Sequence, residues 1–247
     1  MAHNAFETLY ESEKSYWWSV GRRELLKKHI KKVLEPKSNS FILDFGCGGG
    51  GLLHELSGYG NVIGVENSLL ALTYCQNRGQ KNLVRNDGHK LPFKNNTFDI
   101  VVCLDVLEHL EDDSQFLSQI YEALNGGGHI FVMVPALPKL WSSRDVYLGH
   151  HRRYTKVQLK RIIKKTNFNI IKIHSVNLFY LPIMLFLLLI EKTFRHAFLP
   201  RDTLTTPKML NKLLTAILIL ENTITTKVDF PLGVSLFCIA QKRSSNT

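Results

Sequence analysis

Four stretches of this chain hold side chains whose types and spacing could do chemistry. In the first, Asp44-Phe45-Gly46-Cys47-Gly48-Gly49-Gly50-Gly51 follows the apolar run Phe41-Ile42-Leu43, and Glu66 closes the next apolar run, Val62-Ile63-Gly64-Val65. Glycines at a turn let the backbone bend sharply and let a ligand approach it closely, and free N–H groups at the start of a following helix face that ligand. A carboxylate at the tip of the neighbouring strand accepts hydrogen bonds from both hydroxyls of a ribose. The spacing Gly46-x-Gly48-x-x-Gly51 also satisfies the dinucleotide fingerprint, so the glycines alone leave the cofactor open. Asp44 narrows it, because a carboxylate there sits awkwardly beside a pyrophosphate and suits an amino-acid ammonium or a sulfonium.

The second stretch is Asn86-Asp87-Gly88, and the third runs from Leu104-Asp105 to Glu108-His109. The fourth is the loop His150-His151-Arg152-Arg153-Tyr154. Histidine titrates near neutrality, which makes His109, His150 and His151 candidate proton acceptors, with Tyr154 beside them. Ahead of all four, Tyr16-Trp17-Trp18 and Arg22-Arg23 put aromatic rings and guanidinium groups within about two helical turns. They form a candidate lid, in which Arg22 pairs with a carboxylate.

These groups need elements to hold them. Apolar runs of strand length alternate with helical periodicity: strands at Phe41, Val62, Leu83 to Gly88, Phe98 to Val106 and Ile130 to Pro135, with helices between most of them. Near-continuous apolar strands are those of a parallel sheet covered on both faces, and the alternation predicts a doubly wound α/β sheet with ligands beyond its carboxyl ends. A helix is expected from about Phe6 to Leu34, one from Asn67-Ser68 to Arg78-Gly79, and one from Asp113 or Ser114 that ends in Asn125-Gly126-Gly127-Gly128. Thr155-Lys156-Val157-Gln158 reads as a capping box.

Residues 178–233 interrupt the expected strands at Phe168 to Val176 and Val234 to Gln241, and an insertion of more than ~50 residues is long for a simple connection. Leu178 to Ile190 is apolar almost throughout but short of the about 20 residues that span a bilayer. It reads as a core helix or one that dips into a membrane face. Lys208 to Glu221 is amphipathic, with Met209, Leu210, Leu213, Leu214, Ile217 and Leu220 on one side and Asn211, Lys212 and Thr215 on the other. With Lys192, Arg195, Arg201 and Lys208 between them, the two segments suit an interfacial hairpin near anionic lipid.

The chain has 247 residues and a net charge of +10, enough length for one sizeable core with an appendage. The charge is concentrated: residues 139–172 hold ten Lys or Arg against Asp145 alone. Such a segment attracts phosphate, whether in nucleic acid, anionic lipid or an acidic substrate. Four cysteines without C-x-x-C spacing read as buried thiols of a reducing compartment. The start of the chain lacks the pattern of a secretory signal, so a cytoplasmic protein, peripheral at the membrane, is expected.

Asp44 to Gly50, Glu66, Asn86-Asp87-Gly88 with Leu91-Pro92-Phe93 and Phe98-Asp99, and Asp105-Val106-Leu107-Glu108-His109-Leu110 together resemble class I S-adenosylmethionine-dependent methyltransferases, most closely the type 11 group. The resemblance implies a Rossmann-like seven-stranded sheet of order 3-2-1-4-5-7-6, the last strand antiparallel and the insertion between strands six and seven. It divides the chain into a lid (1–36), a cofactor-binding core (37–177 and 234–243) and a helical insertion (178–233). It implies S-adenosyl-L-methionine as cofactor, held by Trp18, Arg22, Asp44, Gly46, Cys47, Gly48, Glu66, Asn67, Asn86, Asp87, Gly88, Leu104 and Asp105, with Asp87 on the adenine amine. His109, His150 and Tyr154 are the expected catalytic groups, and no metal is assigned. Asp105-x-x-Glu108-His109 with a distant histidine is similar to the metal-binding pattern of small-RNA 2′-O-methyltransferases and partly to ubiquinone-pathway O-methyltransferases. It departs from the RNA enzymes in having Asp105 for a glutamate and no distal His-x-His. The expected reaction is O-methylation of an amphiphilic acceptor, an isoprenoid quinone, lipid or lipid-linked sugar, at a membrane face. The alternatives are an RNA methyltransferase using the 139–172 segment and a non-catalytic binding partner with this fold.

Overall fold

The computed structural model describes residues 13, 15–34, 39–193 and 206–244. Seven strands form one sheet: β1 (Phe41–Phe45), β2 (Asn61–Glu66), β3 (Leu83–Arg85), β4 (Phe98–Leu104), β5 (Leu124–Pro135), β6 (Asn169–Val176) and β7 (Ser235–Gln241). Their order is β3-β2-β1-β4-β5-β7-β6. β1 to β5 run parallel, and β7 lies antiparallel between β5 and β6. This is the Rossmann-like arrangement expected, with its order reversal between β1 and β4.

The helices are α1 (Trp17–Ile30), α2 (Leu53–Leu56), α3 (Leu69–Asn77), α4 (Asp113–Ala123), α5 (Ser143–Leu148), α6 (Lys156–Lys165), α7 (Leu181–Thr193) and α8 (Lys208–Thr225). Alternating strand residues bury both sheet faces. Leu43, Val101, Cys103, Ile130 and Val132 meet Phe116, Leu117 and Ile120 of α4 and Leu159 and Ile163 of α6 on one side. Ile42, Ile100, Val102, Phe131 and Met133 meet Leu25, Leu26 and Ile30 of α1 on the other. All four cysteines are buried and unpaired.

Caps act where the sequence places them. Ser68 Oγ accepts from the Ala71 N–H at the start of α3, and Thr155 and Gln158 form the reciprocal box that opens α6.

Four boundaries differ from expectation. α1 begins at Trp17, after a turn at Ser15; positions 6–12 of the expected helix lie outside the described residues, as do Arg195 and Arg201. α2 is a single turn, so the glycine stretch opens a loop more than a helix. β3 is three residues long and leaves Asn86 to Gly88 as its polar tip. Gly126 to Gly128 do not end α4 but belong to β5, where Gly127 adopts φ +83 and hydrogen bonds to Lys242 and Gln241 hold it on the sheet.

In the insertion, α7 buries only Met184, while Ile183, Leu185, Phe186 and Leu189 are exposed, so of the two expectations the core helix is set aside. α8 is amphipathic as expected: Leu218, Glu221, Asn222 and Thr225 are buried, whereas Met209, Leu210, Leu213 and Leu220 face out, Met209 being 87% exposed. The polar side holds the protein. Asn211 Oδ1 accepts from the Trp17 N–H at 2.9 Å and its Nδ2 donates to Ser15 O at 2.7 Å, and Asn222 Nδ2 donates to Gly21 O at 2.8 Å. No helix among the described residues is long and apolar enough to cross a membrane.

Candidate active site

A cavity of about 130 Å³ opens beyond the carboxyl ends of β1 and β4, lined by Glu13, Ser19, Arg22, Arg23, Asp44 and the turn Gly46 to Gly49 among others. Gly46 is fixed by its backbone: it takes φ +75, and a Cβ there would lie 2.5 Å from Val106 Cγ2. Gly48 takes φ +54 with open space where its Cβ would be, which leaves the backbone accessible to a ligand. Cys47 is buried, and its thiol points into the small cluster with Leu53 and Cys75, not toward the cavity mouth. The Glu66 carboxylate is held by three backbone donors, Gly48 N–H on one oxygen and Asn67 and Ser68 N–H on the other.

Asp44 is 3% exposed and its Oδ2 has no hydrogen-bond partner. Burial, and then the neighbouring Glu13 carboxylate, push its pKa up to about 7, opposed by Arg22. A buried carboxyl short of a partner, beside a glycine turn of open backbone, fits a ligand that brings its own donors or positive charge. S-adenosylmethionine carries an ammonium and a sulfonium, and the oriented Glu66 fits its ribose.

The other cofactor candidates divide. Leu104 lines the cavity, and Asp105, turned out of the sheet at φ +57, is ion-paired with Arg22. Asn86 Oδ1 accepts from Gly88 N–H and Asp87 Oδ1 from His89 N–H, shaping the tip after β3 with the Asp87 carboxylate exposed. Trp18 does not reach the cavity. It stacks edge-on with Trp17 and tilts against Tyr180 of the insertion. Glu13 was not legible as a site residue. It pairs with Arg78 at 2.6 Å, and a Cβ on Gly51 would lie 2.5 Å from its Cδ.

Past β4, the loop after β5 folds back: Tyr154 N–H donates to Pro135 O, and His151 N–H donates to Glu108 O. This brings His109 and His150 together, ring centroids 4.8 Å apart. His150 Nδ1 lies 2.9 Å from Asp145 Oδ1; against the pull of burial, the bonds of Asp145 to His150 first, then to Arg153 and Ser142, keep its carboxyl below the usual range. Nδ1 therefore faces the Asp145 carboxylate, and Nε2 lies 3.9 Å from Glu108 Oε1. His109 Nδ1 similarly meets Gly149 O at 3.2 Å, and burial followed by the His150 ring lower its pKa.

Glu108 is fully buried with both carboxylate oxygens unpartnered. One atom each of Glu108, His109 and His150 lies within 4.8 Å of the others, a donor set that could hold a divalent ion.

Tyr154, expected among the catalytic groups, is buried at 3% exposure, and its hydroxyl donates toward Asp113 Oδ2 at 2.8 Å and Leu107 O at 3.1 Å. Burial and the Asp113 charge push its pKa up, so it clamps the loop onto the end of β4. The basic segment is also less free than its charge implies. Arg153 is buried on Asp145, Arg152 pairs with Asp113, Lys156 with Asp229, and Lys172 donates to Thr225 and Thr226 carbonyls.

Residues 43–132 match the family described as Methyltransferase domain. Over 131 residues the chain is 31% identical to demethylmenaquinone methyltransferase of Lactiplantibacillus plantarum, covering 49% of this chain and 55% of that protein. Over 169 residues it is 29% identical to the mitochondrial ubiquinone biosynthesis O-methyltransferase of Schizosaccharomyces pombe, covering 60% and 61%. The matches thus span little more than half the length of these relatives. Among solved structures, an S-adenosylmethionine-dependent methyltransferase from Mesorhizobium loti superposes with a TM-score of 0.58 over 88% of this chain and 97% of its own, at 16% identity, a likeness of fold. The glycine turn and the backbone-held Glu66 both lie within residues 43–132, the stretch that matches a methyltransferase domain, and the seven-stranded order is the fold this chain shares with that solved methyltransferase.

Proposed function

We propose that this protein transfers a methyl group to an oxygen of an amphiphilic acceptor, an isoprenoid quinone, a lipid or a lipid-linked sugar, at a membrane face. The observation that carries the reading is the outward apolar side of α7 and α8. Ile183, Phe186 and Leu189 of α7 and Met209, Leu213 and Leu220 of α8 are exposed, and the inner side of α8 grips α1, whose Arg22 and Arg23 line the cofactor cleft. Exposed lysines at 192, 208 and 212 flank it and suit anionic head groups. An apolar face of this kind is what a lipid-borne acceptor requires and nucleic acid does not.

S-adenosylmethionine, when bound, supplies an electrophilic methyl on sulfur. Asp44 and the turn Gly46 to Gly48 orient its amino-acid end and Glu66 its ribose. Asp105 and His109 would border the acceptor hydroxyl, and methyl transfer to its oxygen would release the thioether form of the cofactor. The hydroxyl proton would be taken by His150 Nε2, with Asp145 stabilising the imidazolium. A second reading of the same side chains is favoured by the unpartnered Glu108: with His109 and His150 it would bind a divalent cation that lowers the acceptor hydroxyl's pKa.

Incubation of the purified protein with methyl-labelled S-adenosylmethionine and separate lipid, quinone and RNA extracts tests the reading. Label recovered in an alkali-stable ether of the lipid or quinone fraction is the expected result. Label in RNA, or in neither, sinks it.

A further inference from the structure

We infer that α5, with the turn that precedes it, is a further contact with the anionic membrane surface, and that it sets the His150–Asp145 pair at the level of the lipid head groups. The inference rests on the reading of the α7–α8 face as lipid-facing and extends that face to the loop beside the acceptor.

α5 is a short helix with two unlike sides. Its inner side is Asp145, 1% exposed, which accepts from Ser142 and Arg153 and faces His150 Nδ1. Its outer side carries Val146 and Tyr147, 65% and 37% exposed, and Trp141 stands 38% exposed in the turn just before it. The inner side already holds the helix in place through Asp145, so the outer apolar groups contribute nothing to the fold that a polar residue would not.

The chemistry around them selects the partner. Residues 138–149 contain one carboxylate, the buried Asp145, while Lys139 is exposed. Tryptophan and tyrosine rings, apolar in body and polar at the tip, settle where hydrocarbon gives way to head groups, and an anionic surface answers the lysine. Position points the same way. The Ser143 N–H at the start of α5 donates to Glu191 Oε1 at 2.8 Å, and α7 packs on the turn Pro138–Leu140. Glu191 lies between the exposed Leu189 and Lys192, so α5 adjoins the exposed C-terminal end of α7.

The consequence concerns the acceptor. A helix with its side chains is about 10–12 Å across, and Asp145 and Val146 are consecutive residues of one helix. A surface that meets Val146 and Tyr147 lies within about one such width of Asp145 and of the His150 ring bonded to it. An acceptor with its hydroxyl at the polar end then reaches His150 while its apolar part stays in the bilayer. The substrate class is a membrane-resident acceptor methylated in place.

The test places an environment-sensitive nitrobenzoxadiazole dye on the full chain through Val146→Cys or, as a control, through Val157→Cys on α6, which is 67% exposed; the four native cysteines are buried. Both labelled chains are titrated with phosphatidylglycerol vesicles, with and without acyl chains brominated near the head group, and the same samples are sedimented. The dye at position 146 is expected to be quenched by the brominated chains and the dye at position 157 not. Val146→Glu, whose fold is checked by its thermal transition, is expected to weaken vesicle affinity about tenfold through the lost transfer of one valine. Chains that sediment with the two dyes quenched alike, or with neither quenched, overturn the α5 contact and leave the α7–α8 reading standing. A folded Val146→Glu variant that sediments like the parent chain overturns the share of α5 in binding. A parent chain that stays in the supernatant overturns both readings.

Discussion

α6 and α8 are both amphipathic, and they face opposite ways. α6 buries Leu159 and Ile163 against the sheet and shows Lys160, Arg161, Lys164 and Lys165 to water. α8 buries Glu221, Asn222 and Thr225 beside Leu218 and shows Met209, Leu213 and Leu220. The first is stabilised by transfer of apolar surface out of water, the second by hydrogen bonds that its polar side makes with α1 and with the start of the insertion. Periodicity reports that a helix has two faces; which one the protein keeps is decided by the surface it meets. For α8 that surface is the backbone of α1, which offers the Trp17 N–H and the Ser15 and Gly21 carbonyls.

The sharpest way to break the comparison is one substitution on each helix. Leu159→Asp places an uncompensated charge in the core and is expected to cost more than about 4 kcal/mol, enough to unfold a marginally stable domain. Leu213→Asp, at 57% exposure, is expected to change stability by no more than about 0.5 kcal/mol, while vesicle affinity falls at least about tenfold through the lost transfer of one leucine. Urea unfolding and sedimentation read the two effects. A large loss of stability from Leu213→Asp would mean that this face is covered by the protein itself.

The polar inner side of α8 has its own weak point. Glu221 is 1% exposed and accepts from the Leu178 and Phe179 N–H groups at 2.7 and 3.2 Å. Glu221→Ala leaves two donors without a partner at the entrance to the insertion, a loss of about 2–4 kcal/mol. The change is expected as a lower urea midpoint with an unaltered slope. A cost below about 0.5 kcal/mol would show that water replaces the carboxylate, making this face ordinary surface.

α1 also packs polar groups inward, against β6. His29 and His174 lie with ring centroids 5.8 Å apart beside Phe237, and neither ring nitrogen of His174 has a partner. Burial first, then Lys172, Lys28 and Lys32 around the pair, with Lys156 opposing and Asp229 favouring a charge on His174, push the two pKa values down to about 4 and about 3. With folded values below the ordinary value of about 6.5, the unfolded chain binds more protons, so stability is intact above about pH 6.5 and is lost as pH falls toward 4 and 3. His174→Phe is expected to remove roughly 2–4 kcal/mol of that acid-dependent loss, read as a flatter Tm between pH 6.5 and 4. An unchanged slope would place the acid sensitivity elsewhere.

The sheet and the cofactor turn were legible in the sequence because each follows from local rules: strands from buried apolar runs, the turn from glycine backbone freedom, Glu66 from its place at a strand tip. The loop after β5 was legible only in part. His109 and His150 could be named, but their meeting depends on the Tyr154 backbone pairing with Pro135, a contact across the fold. The aromatic and hydroxyl character that drew attention to Trp18 and Tyr154 serves packing and clamping. Glu13 carries no motif, and its place over the glycine turn arises from pairing with Arg78, far along the chain. The anchoring of α8 was least legible, since the hydrogen bonds that make it come from Asn211 and Asn222, two residues that periodicity counts only as polar.

The smallest effect separates two pairs of lysines of equal charge. Lys160 and Lys164 stand exposed on α6, and Lys208 and Lys212 on α8. If charge alone recruits the protein to phosphate, reversing either pair to glutamate weakens vesicle binding alike. If the apolar face of α8 sets the contact, only the α8 pair lies within a Debye length of the head groups, where each cation is worth about 1 kcal/mol. Lys208→Glu with Lys212→Glu is then expected to weaken binding to anionic vesicles about tenfold or more, with the deficit shrinking at high salt, and Lys160→Glu with Lys164→Glu to leave it within about twofold. Both double variants are expected to unfold at the parent chain's urea concentration within about 0.5 kcal/mol, since none of the four lysines is buried. Equal losses from the two pairs would return the basic segment to the centre of recognition, and RNA binding that fails with the α6 reversal would then decide for the nucleic-acid reading.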